Sequence, residues 1–227
     1  MKPLKVLVTA GATEVPIDRV RAITNVFKGK TGTAIAFAMG YREPLGNITV
    51  TLLTSNPHIA GEHHMLHFGV VPFRTFDELA ALLEHEIRTG GYDVVIHSAA
   101  VSDYRVAGVH ARRPNGELTP LEASGKVGSS HERLFLELER TPKLIEAIRH
   151  TWDFTGKLIQ FKLEVGITDE ELIARARAAL VRSRGDLVVA NCLEWARDAA
   201  LLVGRDGDVE RVERAKLPDA LIRWCVS

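Results

Sequence analysis

Three groups of residues in this chain have types and spacing suited to handling an anionic substrate. The first opens with Gly11, which ends the apolar run at residues 6–9. After a long polar stretch holding Asp18, Arg21 and Asn25, it closes on Gly29-Lys30-Thr31-Gly32. A glycine-bearing turn that runs into a helix offers a phosphate unpaired backbone N–H groups and the positive end of the helix dipole. Glycine matters there because a Cβ would hold the phosphate off the backbone. Gly29, Lys30 and Gly32 are therefore candidates for a phosphate cradle, against the plain alternative of a surface loop.

The second group is Ser98-Ala99-Ala100-Val101-Ser102-Asp103, which follows the apolar segment 93–97. Ala99 and Ala100 are small enough for a ligand to lie against the backbone, and Asp103 brings charge to the same place, unless it only caps a turn. The third is Lys126, set between Gly125 and Gly128 in a stretch rich in chain breakers. A lysine on a flexible loop can swing over bound phosphates and neutralise their charge, although most lysines are simply solvated. Neither standard phosphate motif is present. Thr24 stands where G-x-x-x-x-G-K-[ST] needs its first glycine, and no G-x-G-x-x-G follows the first strand.

The elements that must position these groups can be read from periodicity. Strands are expected at 6–9, 47–54, 68–73, 93–97, 133–139, 157–163 and 186–190, with helices at 31–41, from Asp77 as N-cap to Arg88, and from Thr141-Pro142 to Arg149. A capping box at Thr168 and Glu171 opens a further helix to Arg184. A hairpin is expected around 201–212 and a last helix from Pro218. Residues 106–131 read as a long flap loop. Strands alternating with helices predict a doubly wound, Rossmann-like α/β fold with a mostly parallel sheet, helices on both faces, the flap and a small C-terminal hairpin. Residues 1–227 read as a single domain. Ligands sit beyond the carboxyl ends of such strands, and Gly11, Asp103, residues 161–164 and Asn191 all fall there.

Composition narrows the function. The 227 residues carry 29 basic and 29 acidic side chains, so no net field favours nucleic acid or an anionic membrane. No apolar run approaches the ~20 residues of a membrane span. Met1-Lys2-Pro3-Leu4-Lys5 leads directly into a strand, so a cytoplasmic location is expected. Cys192 and Cys225 are too few and too far apart for a disulfide framework. His58, His63, His64 and His67 raise a metal site that no neighbouring cysteine or carboxylate array supports.

Several motifs in order give the chain a family resemblance. Thr9-Ala-Gly-Ala-Thr13, Pro16-Ile-Asp18, Ile23-Thr-Asn25 before Gly29-Lys30, Ala99-Ala-Val-Ser-Asp-Tyr104, Lys126, Thr141-Pro142 and Ala190-Asn191 are similar to those of phosphopantothenate–cysteine ligases. The resemblance implies a ligase that makes an acyl-nucleotidylate from 4'-phosphopantothenate and a nucleoside triphosphate. It then joins this intermediate to L-cysteine on the way to coenzyme A. It implies Mg²⁺, a homodimer, and no flavin. By the same resemblance Asn25 holds the acyl-nucleotidylate and Lys126 is the flap lysine of the activation step. Gly11, Ala99, Ala100, Asp103 and Phe161 bind nucleotide, while Arg21 joins Gly29, Lys30 and Gly32 at the phosphate. Gln160-Phe-Lys-Leu-Glu164 is closer to the eukaryotic and stand-alone bacterial forms than to the fusion forms, which leaves CTP and ATP both open. Cys192 stands where aspartate is frequent. The competing readings are an NAD(P)-binding reductase and a non-catalytic nucleotide-binding module.

Overall fold

The computed structural model describes residues 3–41, 48–60 and 68–227. In chain order the elements are β1 Leu4–Ala10, β2 Glu14–Pro16, β3 Ala22–Thr24, α1 Lys30–Tyr41, β4 Ile48–Thr54, α2 Pro57–Ala60, β5 Phe68–Pro72 and α3 Phe76–Thr89. Then come β6 Val94–His97, β7 Tyr104–Arg112, β8 Leu118–Pro120, β9 Leu134–Arg140, α4 Leu144–His150 and β10 Lys157–Glu164. The chain ends with α5 Asp169–Ser183, β11 Leu187–Cys192, β12 Ala199–Gly204, β13 Val209–Glu213 and α6 Leu217–Val226.

The expected doubly wound sheet is present. Its eight strands run in the order β13-β12-β11-β10-β6-β1-β4-β5, parallel from β11 to β5 and antiparallel through the hairpin β12–β13 at one edge. Val6, Leu7 and Val8 of β1 are wholly buried because a parallel strand is covered on both faces. Alternate side chains feed separate cores. Val6, Val8, Ile96 and Ile159 face α1 and α6, whereas Leu7, Val95 and Leu158 face α3 and α4. Helix α5 covers Val188 and Ala190 on that second side. Among the described residues no helix is long and apolar enough to cross a membrane.

Three local expectations are corrected. Helix α3 is capped by Thr75, whose hydroxyl accepts the Glu78 N–H while Glu78 accepts the Thr75 N–H; Asp77 sits inside the first turn. Thr141 does not cap α4, which starts at Leu144 after Lys143. Its hydroxyl instead donates to the Ser102 carbonyl at 2.6 Å and its N–H to that of Asp103 at 3.0 Å. Finally, much of the expected flap at 106–131 is strand. Strands β8, β7 and β9 form a second, antiparallel sheet. The register slips between Val106 and Gly108, and this bulge puts Val106, Val109 and Ala111 opposite Leu138, Leu136 and Leu134. The leucine stripe of β9 therefore belongs to this arm and not to the central sheet.

Candidate active site

From β1 the chain builds outward through β4 and β5, then returns to β6 on the other side of β1 and continues through β10 and β11. The direction of winding reverses between β1 and β6, and ligands of such sheets sit at the strand carboxyl ends beside that reversal. A cleft of ≈ 700 Å³ opens there, within the range of small-molecule sites. Its walls are Gly11 after β1, residues 26–32 entering α1, His97 at the end of β6 with residues 98–101 and Asp103 after it, residues 142–145, residues 160–163 of β10, and Asn191, Leu193, Ala196 and Arg214.

The glycines of the first group are set by packing as much as by ligand access. Gly11 has φ +94°, and a Cβ on it would lie 2.1 Å from Ser55 Oγ, the acceptor of the Ala12 N–H. A Cβ on Gly29, at φ +80°, would meet the Gly11 nitrogen at 2.4 Å. On Gly32 it would meet Ser98 Oγ at 2.3 Å and Ala10 Cβ at 2.8 Å. The N-terminal turn of α1 thus rests directly on the ends of β1 and β6.

The cleft floor is a hydrogen-bonded layer. Ala99 donates its N–H to Thr9 Oγ1 at 3.1 Å, and Thr9 Oγ1 lies 3.0 Å from His97 Nδ1. Burial keeps this imidazole neutral and lowers its pKa from 6.5 to about 4. Ala100 donates to the Gly11 carbonyl at 2.8 Å. Around the rim, Asp103 accepts from Lys143 at 2.5 Å, and Lys162 pairs with Glu164 at 2.8 Å. Burial would raise the Glu164 pKa, but Lys162 and Arg175 hold it below its ordinary value. Arg214 donates to Asn191 Oδ1 at 3.1 Å and to Thr31 Oγ1, tying β11 to the first turn of α1.

The residues singled out in the sequence divide into two sets. Gly11, Gly29, Lys30, Gly32, Ala99, Ala100, Asp103 and Phe161 line the cleft. Asn25 stands next to it, exposed, with Nδ2 donating to the Ala100 carbonyl at 3.4 Å. Arg21 and Lys126 lie outside its walls and are coupled to each other. The Arg21 guanidinium binds the buried Asp18 carboxylate and the Val127 carbonyl (2.8 Å), Asp18 accepts the Val127 N–H (3.1 Å), and Arg19 donates to the Gly125 carbonyl (3.1 Å). The Arg21 guanidinium, opposed by burial and helped by the N–H groups of Val20, Val127 and Arg21, holds the Asp18 carboxyl far below the usual range. Arg21 therefore anchors the turn that presents Lys126.

Lys143 and Arg214 were not visible as site residues in the sequence, where each reads as one more surface cation near a helix start. His97 had a signal, since an imidazole at the end of a core strand is unusual. Cys192 is buried under α5, outside the cleft walls, and both cysteines are free thiols. His58 lies in α2, and His63, His64 and His67 fall outside the described residues. Among the described residues no three His, Cys, Asp or Glu side chains gather as a metal site.

With the geometry in hand, the relatives are informative. Residues 1–219 match the family of the DNA/pantothenate metabolism flavoprotein C-terminal domain. The chain is 37% identical over 205 residues to the coenzyme A biosynthesis bifunctional protein CoaBC of Thermococcus kodakarensis, covering 89% of this chain and 45% of that one. Against the Escherichia coli protein of the same name the identity is 27% over 234 residues, covering 98% and 51%. The chain therefore spans about half the length of the curated relatives it matches. The crystal structure of the DNA/pantothenate metabolism flavoprotein from Streptococcus pneumoniae superposes with a TM-score of 0.80 at 26% identity, covering 97% of each chain. The Cab2 H337A mutant, solved in complex with phosphopantothenate-cysteine, shares the fold with a TM-score of 0.68 at 19% identity, covering 97% of this chain and 86% of that one.

Proposed function

Because the chain belongs to the family of the DNA/pantothenate metabolism flavoprotein C-terminal domain, we propose that it joins 4'-phosphopantothenate to L-cysteine through an acyl-nucleotidylate. The observation that carries this reading is one cleft at the sheet's winding reversal, walled by Gly11, the N-terminal turn of α1, and Ala99-Ala100. The CoaBC name of its relatives and the phosphopantothenate-cysteine bound by the Cab2 neighbour support it.

The chemistry needs two displacements. A carboxylate oxygen attacks the α-phosphorus, the bond to the β-phosphate oxygen breaks, and pyrophosphate leaves. The cysteine amine then attacks the acyl carbon, the bond to the nucleotidyl oxygen breaks, the nitrogen loses its proton, and nucleoside monophosphate leaves. Neither step changes an oxidation state, so the reading needs no flavin. Negative charge gathers on the phosphates in the first step, and donors fixed in advance around it lower the barrier. The first-turn N–H groups of α1 and Lys30 suit that role. Lys126, carried on its anchored turn, closes over the phosphates, and Asn25 holds the acyl carbonyl through its amide.

Magnesium chemistry fits this donor set as an ion that arrives on the triphosphate. Asp103 is the one carboxylate among the described residues lining the cleft, and Mg²⁺ is held by one or two carboxylates plus substrate phosphates. Asp103 would hold the ion together with the substrate phosphates, and the ion would supply charge neutralisation at the leaving pyrophosphate. CTP and ATP both fit this reading. A homodimer belongs to it too, supported by the exposed apolar side chains of Val20, Ile23, Val26 and Phe27 beside the cleft. So does a cytoplasmic place of action.

The reductase alternative is weakened by the β2–β3 hairpin, which separates β1 from α1 where a dinucleotide fold has a tight turn. The deciding assay is pyrophosphate release from the chain with phosphopantothenate, cysteine and Mg²⁺, run with CTP and with ATP. Release that requires phosphopantothenate is expected with one or both; none with either refutes the ligase reading.

A further inference from the structure

Among the described residues lining the cleft, Arg214 is a half-buried cation with no carboxylate to balance its charge. Arg214 opens the 3₁₀ turn Arg214–Lys216 after β13, and its N–H is fixed on the Asp198 carbonyl at 2.7 Å. Its side chain is half-buried in the cleft wall and binds two neutral acceptors, Asn191 Oδ1 and Thr31 Oγ1. Among the described residues no carboxylate pairs with it. The other cations lining the cleft differ: Lys143 is paired with Asp103 and Lys162 with Glu164, while Lys28 and Lys30 are exposed to water. At the opposite end of the sheet, Arg149 and Arg205 share Asp186.

A guanidinium has five N–H donors in a planar fork. Two are used by Asn191 and Thr31, which fix the fork without neutralising it. Burial lowers the Arg214 pKa, a sign of charge held in poor solvent without compensation. Thr31 lies in the first turn of α1, so the fork and that turn's unpaired N–H groups converge on one part of the cleft. We propose that Arg214 is a phosphate-binding residue of this cleft, delivered by the C-terminal segment to grip the triphosphate of the nucleotide. The proposal rests on the ligase reading for the identity of that ligand. It extends the site beyond the residues named from the sequence.

Calorimetric titration of the full chain and its Arg214→Gln and Arg214→Met variants tests it, with CTP, ATP and inorganic tripolyphosphate as probes at low and moderate salt. Charge-assisted hydrogen bonds of this kind imply that Arg214→Gln binds tripolyphosphate and the preferred nucleotide about tenfold to a hundredfold more weakly. Its affinity should also depend less steeply on salt, while the free nucleoside binds as before and the unfolding midpoint of the unliganded chain moves little. Equal tripolyphosphate affinity in wild type and Arg214→Gln would overturn the proposal. So would a parallel loss of nucleoside binding, which marks a structural brace. Should Arg214→Gln not fold, Arg214→Met decides, since it keeps a long side chain and removes the charge and the donors; undiminished tripolyphosphate affinity there refutes the proposal. Pyrophosphate release by the wild type separates the two claims. Its absence, with tripolyphosphate still bound through Arg214, removes the ligase and keeps the anion site. Its presence with unchanged Arg214→Gln binding removes the anion site alone.

Discussion

The buried imidazole on the cleft floor makes a quantitative prediction about acid stability. His97 has a folded-state pKa near 4 against an ordinary value of 6.5, because burial penalises its charged form. The folded value is the lower of the two, so between them the unfolded chain takes up a proton that the folded chain refuses. Stability is therefore full above about pH 6.5 and falls as the pH drops towards 4. At 1.36 kcal/mol per unit, the full gap corresponds to about 3 kcal/mol, and the loss between about pH 7 and about pH 4.5 comes to about 2 kcal/mol. That interval isolates the effect. The lowered carboxyl pKa values of Glu122, Glu164, Glu170 and Glu194 lose their contribution below 4.5, and that of Asp18 below 3.8. His97→Gln removes the titration while its amide can still form a hydrogen bond with the Thr9 hydroxyl. Urea unfolding at both pH values should show the wild type losing about 2 kcal/mol more than His97→Gln on acidification. Parallel losses in the two proteins would mean that His97 is protonated in the folded state and that the floor is wetter than its burial implies.

Two further outcomes follow from the residues beside the cleft. Asn25→Asp places a carboxylate next to the Ala100 carbonyl and the substrate's own anions; nucleotide should still bind in calorimetry while turnover drops about a hundredfold or more. Full turnover would take Asn25 out of the site. Lys126→Gln alters an exposed side chain on a turn that is held by Asp18 and Arg21, so the fold should survive and pyrophosphate release should fall about a hundredfold. A raised KM at unchanged kcat would instead make Lys126 a docking residue.

How much of this was legible in the sequence depends on the range of the interactions involved. Strands β1, β6 and β11 could be read because burial on both faces leaves an unbroken apolar run. The capping box at Thr168 and Glu171 could be read because both hydrogen bonds are local. The equivalent box at Thr75 and Glu78 was within reach of the same rule and was passed over for Asp77. Thr141-Pro142 has the right residue types for an N-cap, yet Thr141 spends its hydroxyl on Ser102, a partner that only the tertiary fold supplies. The arm was obscured by its bulge. Val106 and Val109 are three apart, so strict alternation fails at Gly108, although β9 restores it across the ladder. Arg214 was out of reach for a similar reason, because only the return of β13 along β12 brings it to Thr31.

The glycines show why a motif and a packing constraint need not be rival explanations. A phosphate cradle at the start of α1 works only if the first-turn N–H groups open onto the ligand and not onto bulk water. That requires the helix to start close against the ends of β1 and β6. The 2.3 Å and 2.4 Å approaches that forbid a Cβ on Gly32 and Gly29 are what that closeness looks like. The glycines let α1 sit at the winding reversal of the sheet, and Arg214 and Thr31 then complete a wall that no single segment of the chain contains.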